Sequence, residues 1–152
     1  MATNTLLQRL DAAAETTGSS DGASNRRQVE SFRASAAITA GHVVQFDDGK
    51  TGADRALYVK QATVVASGNA LAIGVALTGA AAAGDVVQVI VAGYAENVLC
   101  DAGVNAGEAL GAALNTAGEG AGSSGTTRPI FGSALEAEGG SGTVDMIVSK
   151  QF

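Results

Sequence analysis

The chain contains no tryptophan, one proline, one cysteine and one histidine among its 152 residues. A single cysteine, Cys100, excludes an intrachain disulfide, and it is expected to sit partly buried as a small apolar residue. A single histidine, His42, leaves any serine or cysteine nucleophile with one imidazole to call on, so a catalytic triad has no support. Aromatic residues are 4% of the chain, and Tyr58, Tyr94 and four phenylalanines make a thin set of platforms for binding sugars. Basic residues are also scarce: 9 Lys and Arg face 15 Asp and Glu, for a net charge of −6. Binding nucleic acid directly requires a basic patch that displaces phosphate counterions, and the adjacent pair Arg26 and Arg27 is too small to provide one. No apolar run approaches the roughly 18 residues of a membrane-spanning helix. The residues after Met1 show neither the basic nor the apolar region of a secretory signal, so synthesis in the cytoplasm is expected.

What is abundant is glycine, with 21 residues, and a 46% apolar content in which alanine is prominent. Alanine buries little area, so the hydrophobic term of an isolated monomer is modest and added interfaces would matter to stability. The length fits one domain or two small halves packed intimately together.

Residues 5–15, TLLQRLDAAAE, place Leu6, Leu7 and Leu10 at one-face helical spacing, with Asn4 or Thr5 available as a cap. A helix this short is marginal alone. It either packs on something or frays. The TTGSSDGASNRR that follows reads as a flexible Gly/Ser-rich linker. Residues 1–28 are therefore expected to form an extended arm carrying a short helix, or else a disordered start without a partner, ahead of a β domain at 29–152.

From Val29 onward the text is strands and turns. HVVQF and ALYVKQA read as strands separated by a Gly/Asp turn at Asp47 to Asp54, and TVVASGNALAIGVAL supplies another pair around Ser67, Gly68 and Asn69. The strongest alternation is AGDVVQVIVAG, apolar on both faces, which predicts a central strand. In AGEALGAALNTAG alanine content favours helix and position favours strand; strand is preferred. GEGAGSSGTTRP is expected to be an exposed loop.

An internal repeat organises these pieces. Ile73 to Val91 aligns without a gap on Phe131 to Ser149: Gly74 meets Gly132, Leu77 meets Leu135, Gly84 meets Gly142, and Val86 meets Val144. TAGHVVQF similarly matches NAGEALGA, with Gly41 on Gly107. The repeated segments span about 38–93 and 104–149. Gly41, Gly74, Gly84, Gly107, Gly132 and Gly142 read as framework turns that launch equivalent strands. The predicted fold is mainly β: a compact β-barrel or β-sandwich built from two similar halves, each covering the other's apolar face. The C-terminal TVDMIV copy, less apolar, is expected nearer an edge.

Chemical motifs are weak. DDGKTGAD, with Asp47, Asp48 and Asp54, loosely suggests a cation loop but lacks the ligand ladder of an EF-hand. Gly49, Lys50 and Thr51 copy the end of a phosphate-binding loop without its upstream glycine or its βαβ context. Asp85, Asp101, Glu108 and Glu136 lie near turns, but no spacing pairs them for acid–base work. No catalytic, cofactor-binding or metal-ligating residue is assigned, and no cofactor.

The repeat segments TAGHVVQF, IGVALTGAAAAGDVVQVIVAG, AGVNAGEALGAAL and FGSALEAEGGSGTVDMIVS resemble the capsid decoration, or cement, proteins of tailed bacteriophages, in particular the DUF2190-like group. The resemblance runs from Ile38 to Val148 on motifs of low complexity. Its matching positions, Ala40, Gly41, Ile73, Gly74, Ala76, Leu77, Gly84, Val87, Val89, Gly93, Ala106 and Gly107, are all framework. The resemblance implies a non-enzymatic β-rich protein on the outer surface of a virion. It would commonly be a homotrimer that bridges and stabilises major capsid protein subunits, with no direct contact to nucleic acid or membrane. The arm lies outside the matched pattern, and Leu6, Leu7, Leu10, Arg26 and Arg27 are its candidate capsid-binding residues. The alternative class is a particle-displayed adhesive or glycan-binding module.

Overall fold

A computed structural model describes residues 27–63, 71–101, 103–112, 116–122 and 129–149. Nine strands carry the described fold: β1 (Arg27–Ala34), β2 (Val43–Phe46), β3 (Tyr58–Gln61), β4 (Ala72–Ala76), β5 (Val86–Cys100), β6 (Ala109–Ala112), β7 (Gly120–Gly122), β8 (Ile130–Ala134) and β9 (Gly142–Val148). One short 3₁₀ turn, Gly52–Ala56, precedes β3. The described residues form a mainly-β, strand-rich fold with little helix and a sandwich-like character.

Pairing runs β1-β3-β2-β4-β5-β7-β6-β8-β9, with β1 and β9 each also paired to β5. Two pairing paths therefore leave β5 and return to it, one through β4, β2, β3 and β1, the other through β7, β6, β8 and β9. The central place of AGDVVQVIVAG is thus realised, and the strand continues through YAENVLC to reach 15 residues. Val87, Val89 and Val91 point into the interior and are fully buried, while Val86 and Gln88 face outward.

Most of the buried side chains form two clusters. One gathers Phe32, Val44, Val59, Ile73, Val87, Val89 and Val91. The other joins Val98, Leu110, Phe131, Val144, Met146 and Val148 with Val43, Ala72, Val75 and Ile90 from the earlier strands. β4 is buried at every position because it contributes to both, Ile73 and Ala76 to the first and Ala72 and Val75 to the second. A register shift between Val44 and Gln45, where β2 opposes β4, allows this change of facing.

Several expectations need correction. Gly120–Gly122, inside the stretch read as an exposed loop, is a strand whose Gly120 and Ala121 are buried. The ring of Phe131 lies 3.6 Å from where a Cβ on Gly120 would stand, so the pairing of a segment without strand propensity is set by its packing. β9 is not at an edge, because it pairs with both β5 and β8. Gly74 and Gly132 lie within β4 and β8 rather than in turns. A Cβ on Gly74 would stand 2.1 Å from the Ile90 carbonyl oxygen, and one on Gly132 would stand 2.3 Å from that of Ile147, so close strand approach requires glycine there. Gly41, Gly84 and Gly107 do turn the chain, with φ of 84°, 93° and 79°. Gly142 is the first residue of β9. Within AGEALGAALNTAG, Ala109–Ala112 form the strand β6, the reading preferred over helix. The turn proposed at Ser67 to Asn69 lies outside the described residues.

Candidate functional site

Of the arm candidates, Leu6, Leu7, Leu10 and Arg26 lie outside the described residues. Arg27 opens β1 opposite Gly93. It lines a cleft of about 240 Å³ together with Gly41, Leu77, Ile90, Glu96 and Asn97. Asn97 takes a φ of 53°, where β5 bulges against β9 between Ala95 and Val98. The Asp145 carboxylate holds that bulge, accepting from the Asn97 amide at 3.1 Å and from the Tyr94 hydroxyl. This hydrogen bond raises the Tyr94 phenol to about 12.

At the end of β2 the DDGKTGAD segment makes an ionic knot. The Ser35 hydroxyl donates to Asp47 at 2.6 Å, the Gly49 amide donates to Asp47 at 3.0 Å, and Lys60 bridges Asp47 and Asp48. The Ser35 hydrogen bond holds the Asp47 carboxyl below its ordinary range. The Lys60 hydrogen bond does the same for Asp48, and Lys60 is raised in turn, chiefly by Asp48. Lys50 stands 4.4 Å from the centre of the Tyr58 ring. The carboxylates are thus turned toward a lysine and a hydroxyl. Among the described residues, no three His, Cys, Asp or Glu side chains group to hold a metal ion.

The other carboxylates noted near turns bond locally. Asp85 accepts the amides of Ala81 and Ala82, Glu108 accepts that of Asn105, and Glu136 accepts that of Asp145. The Asp101 main-chain carbonyl accepts from Ser141. His42 is 2.6 Å from the Gln61 amide nitrogen, and burial lowers its pKa against the opposing charge of Glu119. Its ring packs where a side chain on Gly118 would stand, 2.6 Å from Nδ1, so it serves the join between β2 and the segment before β7. Cys100 is buried, and burial raises its thiol to about 12. A thiol held protonated and enclosed makes a poor nucleophile. These side chains buttress turns and seams.

What the structure adds is a set of exposed apolar residues: Val29, Leu57, Leu71, Val86, Ile130, Leu135 and Ile147. Leu135 aligns with Leu77 in the repeat, and its exposure had no sequence signal. Leu135 and Ile147 share the outer side of β8 and β9, where Ile147 stands opposite Ser133. Leu57 precedes β3 and accepts the Arg33 amide through its carbonyl, which places it beside β1.

No protein-family model matches the chain, and no curated protein does. A solved structure does: the chain is similar in fold to the N base of the head fiber protein gp8.5 of bacteriophage phi29. The TM-score is 0.55 at 17% identity, over 81% of this chain and 94% of that one.

Proposed function

We propose that this protein is a non-enzymatic structural component of a phage virion, seated on the outer surface of the head, where it bridges and stabilises neighbouring major capsid subunits. The single observation that carries the reading is the shared fold with a head fiber base over nearly its whole length. The cement-protein resemblance of the repeat segments supports it independently of that fold. The chemistry agrees in kind, since the ionisable side chains described above serve turns and seams.

The proposal includes an architecture of two similar halves, each a small barrel-like ring of strands, joined through β5. Its support is the recurrence of pairings. Val43 opposite Val75 and Val44 opposite Gly74 recur as Ala109 opposite Ser133 and Leu110 opposite Gly132, with the register shift at the same place. The parallel pair Ala34 with Val59 recurs as Cys100 with Gly120. The bridge Ile38 to Ala80 recurs as Val104 to Glu138. By these pairings β7 is the counterpart of β3. Ile90, opposite Val75, matches Ile147, opposite Ser133.

A homotrimer suits such a protein, because closed symmetry gives exposed sheet surface a partner and interfaces add stability by linkage. Residues 1–28 serve as the capsid-binding arm, with Leu6, Leu7 and Leu10 as apolar anchors and Arg26 and Arg27 at its root. The test is occupancy on purified heads. The full chain is expected to bind and to raise the temperature at which heads release their genome. A chain lacking residues 1–27 is expected to bind poorly, and equal occupancy would remove the arm from the account. Absence of head binding by the full chain would overturn the function.

A further inference from the structure

The two halves differ in what covers one face, and the difference points to a partner. In the first half the outer side of β2, β4 and β5 presents Val43, Ala72, Val75 and Ile90, all buried and all within the cluster shared with the second half. Leu77 packs against the same cluster. The second half covers this side through that cluster. It joins the chain before and into β2 through Gly118, whose carbonyl accepts the Val43 amide at 2.7 Å, and Leu99, whose amide donates to the Gly41 carbonyl at 3.1 Å.

Among the described residues, the counterpart side of the second half has no such cover. Ser133 replaces Val75, Ile147 replaces Ile90 and Leu135 replaces Leu77; all three are exposed, Leu135 to 51% and Ile147 to 40%. The residues that make these two hydrogen bonds also have counterparts in the first half. Leu99, opposite Thr143, matches Arg33, opposite Val86. Gly118 stands two residues before Gly120 as Leu57 stands two before Val59. Arg33 and Leu57 are exposed, Leu57 to 52%. Among the described residues, the molecule thus carries a contact between its halves, together with an exposed counterpart of each side of it.

We infer that the outer face of β8 and β9 around Leu135 and Ile147 is covered by the first half of a second copy of this chain, through the surface around Leu57 and Arg33. The occupant follows from the internal contact, because the counterparts of Leu57 and Arg33, Gly118 and Leu99, already bond to Val43 and Gly41 of the first half within the chain. Charge agrees: Glu136 adjoins Leu135, and Arg33 adjoins Leu57. The two surfaces lie on different halves, so the contact is head-to-tail, and a rotation that closes it gives a ring. A ring of three would satisfy the proposed trimer. The Arg33 amide already donates to the Leu57 carbonyl, so the contact between copies is made by side chains and is weaker than the internal one. The inference rests on the two-half reading but not on the capsid.

The experiment uses full-length Leu57→Cys and Leu135→Cys, each alone and mixed, under mild oxidation. Cys100 is buried and does not compete. The mixture is expected to yield a disulfide between the two variants, and neither variant alone is expected to cross-link. Cross-linking of either variant with itself would show a two-fold contact and overturn the proposal. So would a chain that sediments as a monomer at its highest soluble concentration with no mixed cross-link. A full-length Leu135→Lys/Ile147→Lys chain is expected to keep its β spectrum and lose self-association; retained association would equally overturn it. A chain that binds heads but forms no mixed cross-link sinks this contact alone. One that cross-links but ignores heads sinks the capsid reading alone.

Discussion

β4 and β8 sit at matching places in the pairing scheme, yet one is buried throughout and the other shows Ile130 and Ser133 to solvent. Each strand opposes its β2 or β6 partner with the same register shift, and each carries a glycine against a neighbouring carbonyl. Backbone geometry therefore does not decide burial here. What decides it is whether a second layer lies outside: among the described residues one lies over Val75 and Ile90 and none over Ser133 and Ile147. The interiors differ in a compensating way. Where the first has Val59 and Ile73, the second has Gly120 and Phe131, a smaller residue on one strand and a larger one on the other. Cores tolerate such exchanges when total volume is kept.

The largest effect is expected where that compensation is removed. Phe131→Ala deletes the side chain that fills the space over Gly120, and it should cost about 3–5 kcal/mol, more than Ile73→Ala, measured by urea unfolding. Equal losses at the two sites would break the exchange argument. Next comes the pair Ile90→Ala and Ile147→Ala. The first should cost about 2–5 kcal/mol as a core truncation. The second should stay within about 0.5 kcal/mol for the monomer, as a surface change does. A large monomer loss at Ile147 would mean that its face is covered within the chain.

Gly74→Ala and Gly132→Ala place a methyl against a carbonyl oxygen, and each should destabilise by about 1–3 kcal/mol. A neutral result at one of them would show that the two strand approaches are not equivalent.

The smallest effect is electrostatic and confined to β2 and β3, because Ala121 stands in β7 where Lys60 stands in β3. Asp47 is held below the ordinary carboxylate range, so its contribution is complete above about pH 4 and fades as pH falls through its lower folded value. Asp47→Asn should therefore lower the melting temperature slightly at neutral pH, and the difference from wild type should shrink in acid. A difference that grows on acidification would contradict the assignment.

Much of the frame was legible in sequence because it rests on alternation and on turn glycines. Val87, Val89 and Val91 announced an interior strand, and Gly41, Gly84 and Gly107 marked turns. The gapless alignment of Gly84 on Gly142 misled by one residue beyond the turn. Val87 opposes Phe32 as Val144 opposes Val98, so Val144 matches Val87 rather than Val86. One residue inverts facing in a strand, which is why Val86 is exposed while Val144 is buried. β7 escaped notice because GAG carries no strand signal, and its place is fixed by Phe131, eleven residues from Gly120 in sequence and adjacent in space. The exposed face was illegible for a related reason. Leu77 and Leu135 are identical residues in similar local text, and their different exposure comes from what packs outside them.

The most direct test is sedimentation equilibrium of the full chain beside its Leu135→Lys/Ile147→Lys variant. The account predicts concentration-dependent association of the wild type and a folded, monomeric variant. A wild type that is monomeric throughout, or a variant that associates as strongly, would contradict it.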